Sequence, residues 1–214
     1  MLDHDEEKIN RLNQQFAFIR EIDKEKFIGR QTYLTDAKRK ENDAEHAWHM
    51  AIMTLLLSEY ANQKIDVLKT ISMLLIHDLV EIDAGDTYAY DEEGAKTKDE
   101  RERKAADHIF GMLPGDQGMY LKALWEEFEA YETAEAKYAH LLDNFQPLLL
   151  NDAAGGISWT EHQVKKSQIY KRNEKVIKRT HVDDVDAEWK RFCDAKDTAV
   201  SQLKELYDKA IEDV

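Results

Sequence analysis

The chain has 214 residues and a formal net charge of −14, from 44 Asp and Glu against 30 Lys and Arg. A broad grip on the phosphate backbone of nucleic acid needs an excess of Lys and Arg, so this balance argues against a duplex-binding role. With 43% hydrophobic residues the sequence is too apolar for a disordered chain. Its 8 Gly and 2 Pro fall far below the roughly 12% that the two contribute to an average protein. We therefore predict an all-α fold.

Three features of the sequence bear on location. Cys193 is the single cysteine, which excludes an internal disulfide framework. The acidic opening, residues 1–7, lacks the basic flank and apolar run of a signal peptide. The longest nearly apolar stretch, residues 47–57, is about half of the ~20 residues that span a bilayer. We expect a cytoplasmic protein without a membrane span.

The chain contains no repeat, low-complexity tract or linker rich in Ser, Pro or Gly, which favours one domain over residues 1–214. In the first segment apolar residues recur every three or four positions, and this spacing predicts an amphipathic helix that packs through its apolar stripe. The stripe consists of Ile9, Leu12, Phe16 and Ile19. Residues 27–40 are mixed in character and predict an irregular segment.

Helical patterns account for most of the remaining chain. Asn42 or Asp43 can cap a second helix over residues 44–60, which we expect to be buried on most sides. The third and most apolar helix is predicted over residues 66–85, and the polar loop after it, residues 87–98, could cover a site. Further helices are predicted over residues 99–113, 118–131 and 133–150, with stops at 114–115 and 155–156.

After Trp159 the sequence is helical again to the C-terminus. Its last part carries apolar residues at roughly heptad spacing, which suits a helix docked on the core and would equally suit a contact between subunits. These residues are Trp189, Phe192, Ala199, Leu203, Leu206 and Ile211. Of the two interpretations we favour docking.

Polar residues interrupt three of the apolar helices. His77 and Asp78 lie between apolar runs in the third helix, Glu45 and His46 begin the second, and Asp143 interrupts the helix predicted over residues 133–150. A carboxylate that is buried without a partner is strongly unfavourable, so something must satisfy these groups.

Four of these residues suit a divalent metal ion, because neighbouring helices of a bundle can bring them to one point. They are His46, His77, Asp78 and Asp143. Two imidazoles and two carboxylates neutralise a divalent ion, and six-coordination leaves two positions for water or substrate oxygens. A single histidine on an apolar face is more often a hydrogen-bonded core residue, so the prediction depends on the coincidence of three helices. His49 and His140 lie nearby, but we assign neither as a ligand.

The ordered set His46, His77-Asp78 and Asp143 resembles the H…HD…D signature of the HD-domain metal-dependent phosphohydrolases. The flanking segments, residues 39–46 and 77–86, look like the branch that includes bacterial 5′-deoxynucleotidases, and the resemblance spans about residues 25–155. It implies a single-domain HD-type helical bundle, one divalent ion held by the four residues, and a homodimer.

The resemblance also implies roles for three further residues. Glu81 matches the family's catalytic acid, and Asp86 lies in a turn that can aim its carboxylate across the site. A solvent-exposed helix-end glutamate and a turn-forming aspartate are the alternatives. Arg30 matches, with a one-residue shift, a family arginine that holds the substrate phosphate. Where the deoxynucleotidases have a tryptophan beside that arginine, this chain has Gln31-Thr32-Tyr33.

Two further groups of residues receive a structural interpretation. A charged run alternates acidic residues with the basic residues Lys96, Lys98, Arg101, Arg103 and Lys104. Such a run is typical of a helix face laced by salt bridges, and a lid over an anionic substrate is the alternative. We assign no chemistry to Trp159, His162, Arg172 or Asn173, because helix packing accounts for them.

These features predict a metal-dependent phosphoric ester hydrolase that releases phosphate from a nucleoside 5′-monophosphate, with a deoxynucleotide favoured. The metal would be manganese, cobalt, iron, nickel, zinc or magnesium. The alternatives are an HD-type hydrolase of a cyclic nucleotide, phosphodiester, dNTP or alarmone, and a non-catalytic sensor of metal and nucleotide. We expect a small-molecule phosphate ester as partner, with neither duplex nucleic acid nor a membrane.

Overall fold

The computed structural model describes residues 2–91, 93–165, 167–169 and 172. Over these residues the chain forms α1 (Leu2–Glu21), α2 (Asp43–Leu57), α3 (Val67–Ile76), α4 (Glu81–Ala84), α5 (Ala95–Gly111), α6 (Gly115–Ala130), α7 (Ala134–Ala153) and α8 (Ile157–Glu161). Short 3₁₀ helices over Ile22–Phe27 and Ser58–Tyr60 follow α1 and α2. The all-α prediction is confirmed. Within the described ranges, no helix combines the length and the apolar character that a membrane crossing needs.

The segment that the sequence predicted as irregular contains a small antiparallel sheet. β1 (Gly29–Tyr33) pairs with β2 (Lys40–Asn42), and the register shifts between its two ends. The strands are too short and too polar for alternation to reveal them in the sequence. The sheet nevertheless matters, because it carries Arg30 to the start of α2, where Arg30 Nη1 lies 3.3 Å from Asp43 Oδ1.

The core lies around α3, which packs against α2, α6 and α7. Among its most deeply buried side chains are Met50, Met73, Leu74, Ile109 and Phe110. Gly118 allows α6 to approach the end of α5, since a Cβ atom there would lie 2.4 Å from the carbonyl oxygen of Phe110. The first turn of α6 therefore packs directly on the backbone of α5.

The helix predicted at the N-terminus is present, but its predicted packing face is wrong. Every member of the stripe Ile9, Leu12, Phe16 and Ile19 is exposed, to between 47% and 59%. The face that meets the body of the protein instead carries Arg11, which bonds Asp116, Gln15, which bonds Gln117, and the buried Phe18. These three residues lie at i, i+4 and i+7 and form one ridge of α1.

The second predicted helix is confirmed, with Asn42 as its N-cap. The Asn42 side chain accepts from the backbone N–H of Glu45, and the Glu45 side chain accepts from the N–H of Asn42, which completes a capping box. The expectation of burial on most sides is confirmed, although one face of α2 is exposed. That face carries Trp48, Ile52, Leu55 and Leu56.

The third predicted helix is divided in two. α3 ends at Ile76, a turn follows over residues 77–80, and α4 begins at Glu81. The imidazole Nδ1 of His77 bonds the carbonyl oxygen of Leu74 at 2.9 Å, and the backbone continues with bonds between residues three apart. This tighter winding ends the regular α-helix at the point where the metal-ligand candidates begin.

The next two helices, α5 and α6, start earlier than predicted. α5 begins at Ala95 because the carboxylate of Asp91 accepts from the backbone N–H groups of Glu93 and Gly94 and so prepares the first turn. The 114–115 pair begins α6 and is not only a stop for α5. Gly155 and Gly156 adopt positive φ and end α7 as predicted. The apolar stripe that begins at Trp189 lies outside the described residues.

Candidate metal centre and active site

Three side chains meet where α2, α3 and α7 adjoin. His46 lies in the first turn of α2, His77 directly follows α3, and Asp143 lies at mid-length in α7. One possible ligand atom from each lies within 4.8 Å of the other two. The Oδ1 atom of Asp143 is 3.1 Å from His46 Nε2 and 3.9 Å from His77 Nε2. Helices distant in sequence thus bring together three of the four predicted ligands.

Asp78, the fourth predicted ligand, borders this group. Its Oδ2 atom lies 3.1 Å from His77 Nε2 and accepts a hydrogen bond of 2.8 Å from Arg30 Nη1. The approach to His77 is not aligned as a hydrogen bond, so His77 Nε2 is buried and unpartnered among the residues that the structure describes. A buried nitrogen without a partner, facing carboxylates, fits a metal ligand.

A chain of hydrogen bonds lies behind His46. The Gln146 side-chain N–H donates to Glu41 Oε2 at 2.9 Å, which turns the amide oxygen of Gln146 towards His46 Nδ1, also at 2.9 Å. Both ring nitrogens thus face acceptor oxygens, Nδ1 that of Gln146 and Nε2 that of Asp143 at 3.1 Å. With the proton on Nδ1, the Nε2 lone pair and the Asp143 carboxylate would both be available to a cation between them. Burial lowers the pKa of His46 to about 4, with the charge of Arg30 acting in the same direction. The ring is neutral at physiological pH, as a metal ligand must be.

The negative charges around His77 favour a cation at this position. Burial opposes protonation of His77, but the negative charges of Asp78 and Asp143 dominate and raise its pKa to about 9. Against the effect of burial, His77 holds the pKa of Asp78 below its usual range, and the hydrogen bond with His46, together with the charge of His77, does the same for Asp143. A divalent ion would neutralise these carboxylates with two positive charges, whereas a proton on His77 supplies one.

Arg30 lies inside a cluster of carboxylates. Besides its bond to Asp78, Nη1 lies 3.3 Å from Asp43 Oδ1, and Nε lies 3.6 Å from Glu41 Oε1. Burial opposes the charge of Arg30, but the surrounding carboxylates, Asp78 above all, raise its pKa. The sequence prediction for Arg30 located it at the site, although Glu41 and Asp43 were not recognised as its partners.

The two predicted catalytic carboxyl groups also reach the site. Glu81, the first residue of α4, is 5% exposed. Burial, together with the negative charges of Asp78 and Asp43, raises its pKa to about 11, so Glu81 holds a proton at neutral pH. Burial likewise raises the pKa of Asp86, which follows the turn at Gly85. At Gly85 the φ angle of +75° is one that residues with a Cβ atom rarely adopt.

A cavity of about 210 Å³ opens beside this site, and His46 and His77 lie behind its lining. Its acidic and basic part is lined by Arg30, Asp78, Glu81, Asp86 and Asp143. Along α7 the lining continues from Asp143 through Leu148 to Asn151, a distance of about 12 Å at 1.5 Å per residue. The further part is lined by Tyr88, Tyr90, Leu148 and Trp159. The cavity thus extends from a charged region to an aromatic one.

Several lining residues had no predicted role. Trp159 is buried in a second hydrophobic cluster, as the packing interpretation expects, but it also lines the cavity, as does Arg172. His162 lies against the Tyr88 ring at 4.4 Å between centroids. Asn173 lies outside the described residues. No motif in the sequence marks Trp159 or Arg172, because their approach to the site depends on the turn after α7.

Two other histidines lie near the site but do not belong to the group His46, His77 and Asp143. His49 Nδ1 lies 3.2 Å from the side-chain nitrogen of Gln146, so it contacts the group behind His46. His140 bonds the carbonyl oxygen of Phe128 at 2.9 Å and stacks on its ring. Gln146 was missed by the sequence analysis, although its position three residues after Asp143 on one helix was a usable signal.

Comparison with known proteins identifies the family. A family model described as HD domain matches residues 22–185. This chain belongs to the HD domain family. The resemblance inferred from the H…HD…D residues is therefore confirmed, and the helical architecture is the HD fold.

Curated relatives of this HD domain carry one name. The 5′-deoxynucleotidase HDDC2 of Homo sapiens and that of Xenopus laevis are each 30% identical to it, over 114 and 112 residues. These segments cover 53% and 52% of this chain and 54% of each relative. The chain therefore spans about half the length of the curated relatives that it matches.

Solved structures resemble the HD domain over a larger share. A crystal structure described as a predicted metal-dependent phosphohydrolase from Magnetospirillum magnetotacticum MS-1 is 43% identical, with a TM-score of 0.78, over 95% of this chain and 94% of that one. A conserved hypothetical protein from Pyrococcus furiosus is 26% identical, with a TM-score of 0.52, over 77% of this chain and 98% of that one. Nearly the whole chain is thus similar to the structure described as a metal-dependent phosphohydrolase.

Proposed function

We propose that this HD domain is a metal-dependent phosphomonoesterase that releases phosphate from a nucleoside 5′-monophosphate, with a deoxynucleotide preferred. The observation that carries the proposal is the convergence of His46, His77 and Asp143 beside a cavity that continues into an aromatic region. The relatives named 5′-deoxynucleotidase and the structure described as a metal-dependent phosphohydrolase support the same reaction class.

The metal would be held by His46, His77, Asp78 and Asp143. When bound, it would polarise a phosphoryl oxygen and lower the pKa of a coordinated water. Neutral His46, unpartnered His77 Nε2 and the two carboxylates provide a donor set that fits such an ion. Imidazole with carboxylate suits manganese, cobalt, iron, nickel or zinc, and magnesium is compatible with the carboxylates.

The remaining polar groups would orient the ester and manage its protons. Arg30 would pair with the substrate phosphate, since its contacts with Asp78 and Asp43 both use Nη1 and leave other N–H donors. Glu81, which holds a proton at neutral pH, would donate it to the departing 5′-oxygen. Asp86, across the same cavity, would orient the attacking water and accept its proton.

The aromatic part of the cavity would hold the nucleoside. Tyr88, Tyr90 and Trp159 offer ring faces and edges on which a base can pack. This region would take the place of the tryptophan that follows Arg30 in the deoxynucleotidases, where this chain has Gln31 and Thr32 in the cavity wall. Tyr33 has another role, because its hydroxyl donates to Glu161 Oε1 at 2.6 Å.

One observation favours a second candidate, a hydrolase of a dNTP, an alarmone or another ester with additional phosphates. Lys98 and Arg172 add two cationic groups to the cavity wall besides Arg30. Burial opposes the charge of Lys98, but Glu102 and the acidic site raise its pKa to about 12, so it stays protonated. A single phosphate group does not need three cations and a metal ion, whereas a polyphosphate would use them.

The test is phosphate release from a panel of 5′-deoxynucleotides, ribonucleotides, cyclic nucleotides, dNTPs and an artificial phosphomonoester. The protein is stripped of metal and reloaded with each divalent ion. We expect metal-dependent release that is greatest for deoxynucleoside monophosphates. In Asp78→Ala, bound metal and turnover should disappear together, while Asp99→Ala, which changes an exposed aspartate, should behave like the wild type. Full activity in a folded Asp78→Ala protein would contradict the proposal, and nucleotide binding without turnover would favour a sensor.

We further propose that the protein is a homodimer that buries the exposed stripe of α1. Four large apolar side chains in one row are unusual on the free surface of a monomer. Sedimentation velocity should give a dimer mass, and Phe16→Asp should shift it to that of a monomer. A wild-type protein that sediments as a monomer at micromolar concentration contradicts this part of the proposal.

A further inference from the structure

The loop between α4 and α5 packs through Tyr88 and Tyr90 against the cluster around Trp159, and one arginine bonds it to α5. The guanidinium of Arg101, on α5, donates through Nη1 to the carbonyl oxygen of Ala84 and through Nη2 to Thr87 Oγ1 at 2.7 Å. Nη2 also lies 3.5 Å from the carbonyl oxygen of Gly94, and Nε lies 3.3 Å from Thr97 Oγ1. One planar group therefore contacts the start, the interior and the end of the loop.

This loop carries functional side chains but few backbone bonds. Asp86, Tyr88 and Tyr90 all line the cavity. Of the backbone hydrogen bonds in the described chain, only the one from Asp91 N–H to the Tyr88 carbonyl, 2.8 Å, involves residues 86–90. It closes a local turn and does not join the loop to a helix or strand. Side-chain bonds must therefore hold these residues in place.

Arg101 differs from the other basic residues of its run. Lys96 pairs with Glu93 at 2.6 Å and Lys98 with Glu102 at 3.4 Å, as a salt-bridge-laced helix face predicts. Arg101, in the contacts that the structure describes for it, bonds only neutral carbonyl and hydroxyl oxygens. A salt-bridge role does not explain this arginine, whereas attachment of the loop does.

We propose that Arg101 is a positioning residue that holds the 84–94 loop against α5 and thereby keeps Asp86, Tyr88 and Tyr90 at the cavity. The inference rests on the proposed function, because it assigns these three side chains to catalysis and nucleoside binding. Arg101 itself does not line the cavity. Its planar fork can bond Ala84 and Thr87 at once, which the single ammonium group of a lysine cannot reproduce.

The test compares Arg101→Ala and Arg101→Lys with Arg103→Ala, which removes an exposed arginine of the same helix. In both Arg101 variants we expect kcat to fall about tenfold or more, since small displacements of reacting groups cost up to ~100-fold. Bound metal should remain at the wild-type level, because His46, His77 and Asp143 are unchanged. Arg103→Ala should match the wild type in both measurements.

Thr87→Val provides a second variant that keeps the helix intact. It removes one acceptor of the Arg101 fork without changing the volume of the side chain much, so we expect a smaller loss of kcat. In a double-mutant cycle, Thr87→Val should add almost nothing to Arg101→Ala, because the two substitutions break the same contact. If the double variant instead loses kcat by the product of the two single-variant factors, the substitutions act independently and the proposal is overturned.

Amide hydrogen exchange measures the loop without reference to activity. We expect peptides that cover residues 85–91 to exchange faster in Arg101→Ala than in the wild type, and at an unchanged rate in Arg103→Ala. The role of Arg101 would be overturned if exchange were unchanged in Arg101→Ala. It would also be overturned if Arg101→Ala lost its bound metal and its melting temperature fell, since that would indicate general destabilisation. If the wild type hydrolyses no phosphate ester, the proposed function fails, and the exchange experiment still decides whether Arg101 holds the loop.

Discussion

The two walls of the cavity are built in different ways. One wall belongs to elements that pack on the core, and it includes Asp143, which lies beside the other candidate metal ligands His46 and His77. The other is the 84–94 loop, which carries the candidate catalytic residue Asp86 and is bonded by the side chain of Arg101 at Ala84 and Thr87. The helical wall is supported by many apolar contacts in the main core, whereas the loop wall is held by a few hydrogen bonds and by the packing of Tyr88 and Tyr90 against the smaller cluster around Trp159.

This difference in construction suits two tasks, the binding of a metal ion and the entry and release of a substrate. A metal site needs donors held within a few tenths of an ångström, and close-packed helices provide that rigidity. A substrate must enter and leave, so the side that closes over it belongs among the less stable parts of a fold. We therefore expect substitutions in the helical wall to affect metal retention and those in the loop wall to affect turnover with the metal still bound.

The largest effect should come from the helical wall. In His77→Ala we expect bound metal to be lost and turnover to fall by at least about 100-fold, more than the 10–100-fold typical of residues behind a ligand. Metal analysis and phosphate release are the measurements, and His108→Ala, which changes an exposed histidine paired with Asp83, is the control. A His77→Ala protein that keeps its metal would remove the distinction between the two walls.

A smaller effect should follow from the group behind His46. Gln146→Met keeps the side-chain length but cannot accept from Nδ1, so the ring loses its hydrogen bond at Nδ1. We expect metal affinity to fall about 10–100-fold, measured by titration against a competing chelator. The melting temperature should drop mainly in the metal-loaded protein. An equal drop with and without metal would assign Gln146 to packing alone.

On the opposite wall, a change should affect the substrate and spare the metal. For Tyr90→Ala we expect the KM for a deoxynucleoside monophosphate to rise about tenfold, since stacking of a base on an aromatic ring contributes about 1–3 kcal/mol. The KM for deoxyribose 5-phosphate, which has no base, should stay the same. Tyr33→Ala is the matched control, because Tyr33 bonds Glu161 outside the cavity lining. Equal effects on both substrates would contradict a nucleoside role for the aromatic region.

The smallest effect on turnover should come from Glu25, a buried residue ahead of β1. Burial, with the negative charge of Asp78, raises its pKa to about 7 from 4.5. The folded state then binds this proton more tightly than the unfolded state, so the free energy of unfolding falls as pH rises from about 4.5 to about 7. In chelator-treated protein, Glu25→Gln should be more stable than the wild type at pH 8, by up to about 3 kcal/mol.

Urea denaturation at several pH values checks this prediction. The advantage of Glu25→Gln should shrink towards zero as the pH falls below about 4.5, where the wild-type carboxyl becomes neutral in both states. A stabilisation that does not depend on pH would come from packing and not from the crowding of carboxylates. Turnover should stay within about twofold of the wild type, because Glu25 is not part of the cavity lining.

The sequence could predict the helical wall because the spacing of apolar residues along a helix is a local property that can be read from the sequence. His46, His77, Asp78 and Asp143 stood out as polar residues inside apolar runs, and three of them converge in the structure. It failed for α1, where an apolar stripe suggested packing and the structure instead docks the helix through Arg11, Gln15 and Phe18. Periodicity indicates a face but does not tell whether the same chain or another covers it.

The loop wall could not be predicted in the same way. Arg101 looks like any basic residue of a charged helix, and its partners Ala84 and Thr87 lie 17 and 14 positions earlier in the chain. Trp159 and Arg172 reach the cavity only because the chain reverses at Gly155 and Gly156. Contacts of this kind depend on turn geometry, which a pattern of apolar residues does not encode.

The sequence by itself determined the fold class, the HD signature and the candidate metal ligands, because each depends on which side chains occupy successive turns of the chain. The tertiary structure alone decided what surrounds them: the Gln146 and Glu41 bonds behind His46, the carboxylates around Arg30, and the aromatic end of the cavity. The physical reason is that burial and charge at a site are sums over neighbours that are remote in sequence, so they exist only once the chain is packed.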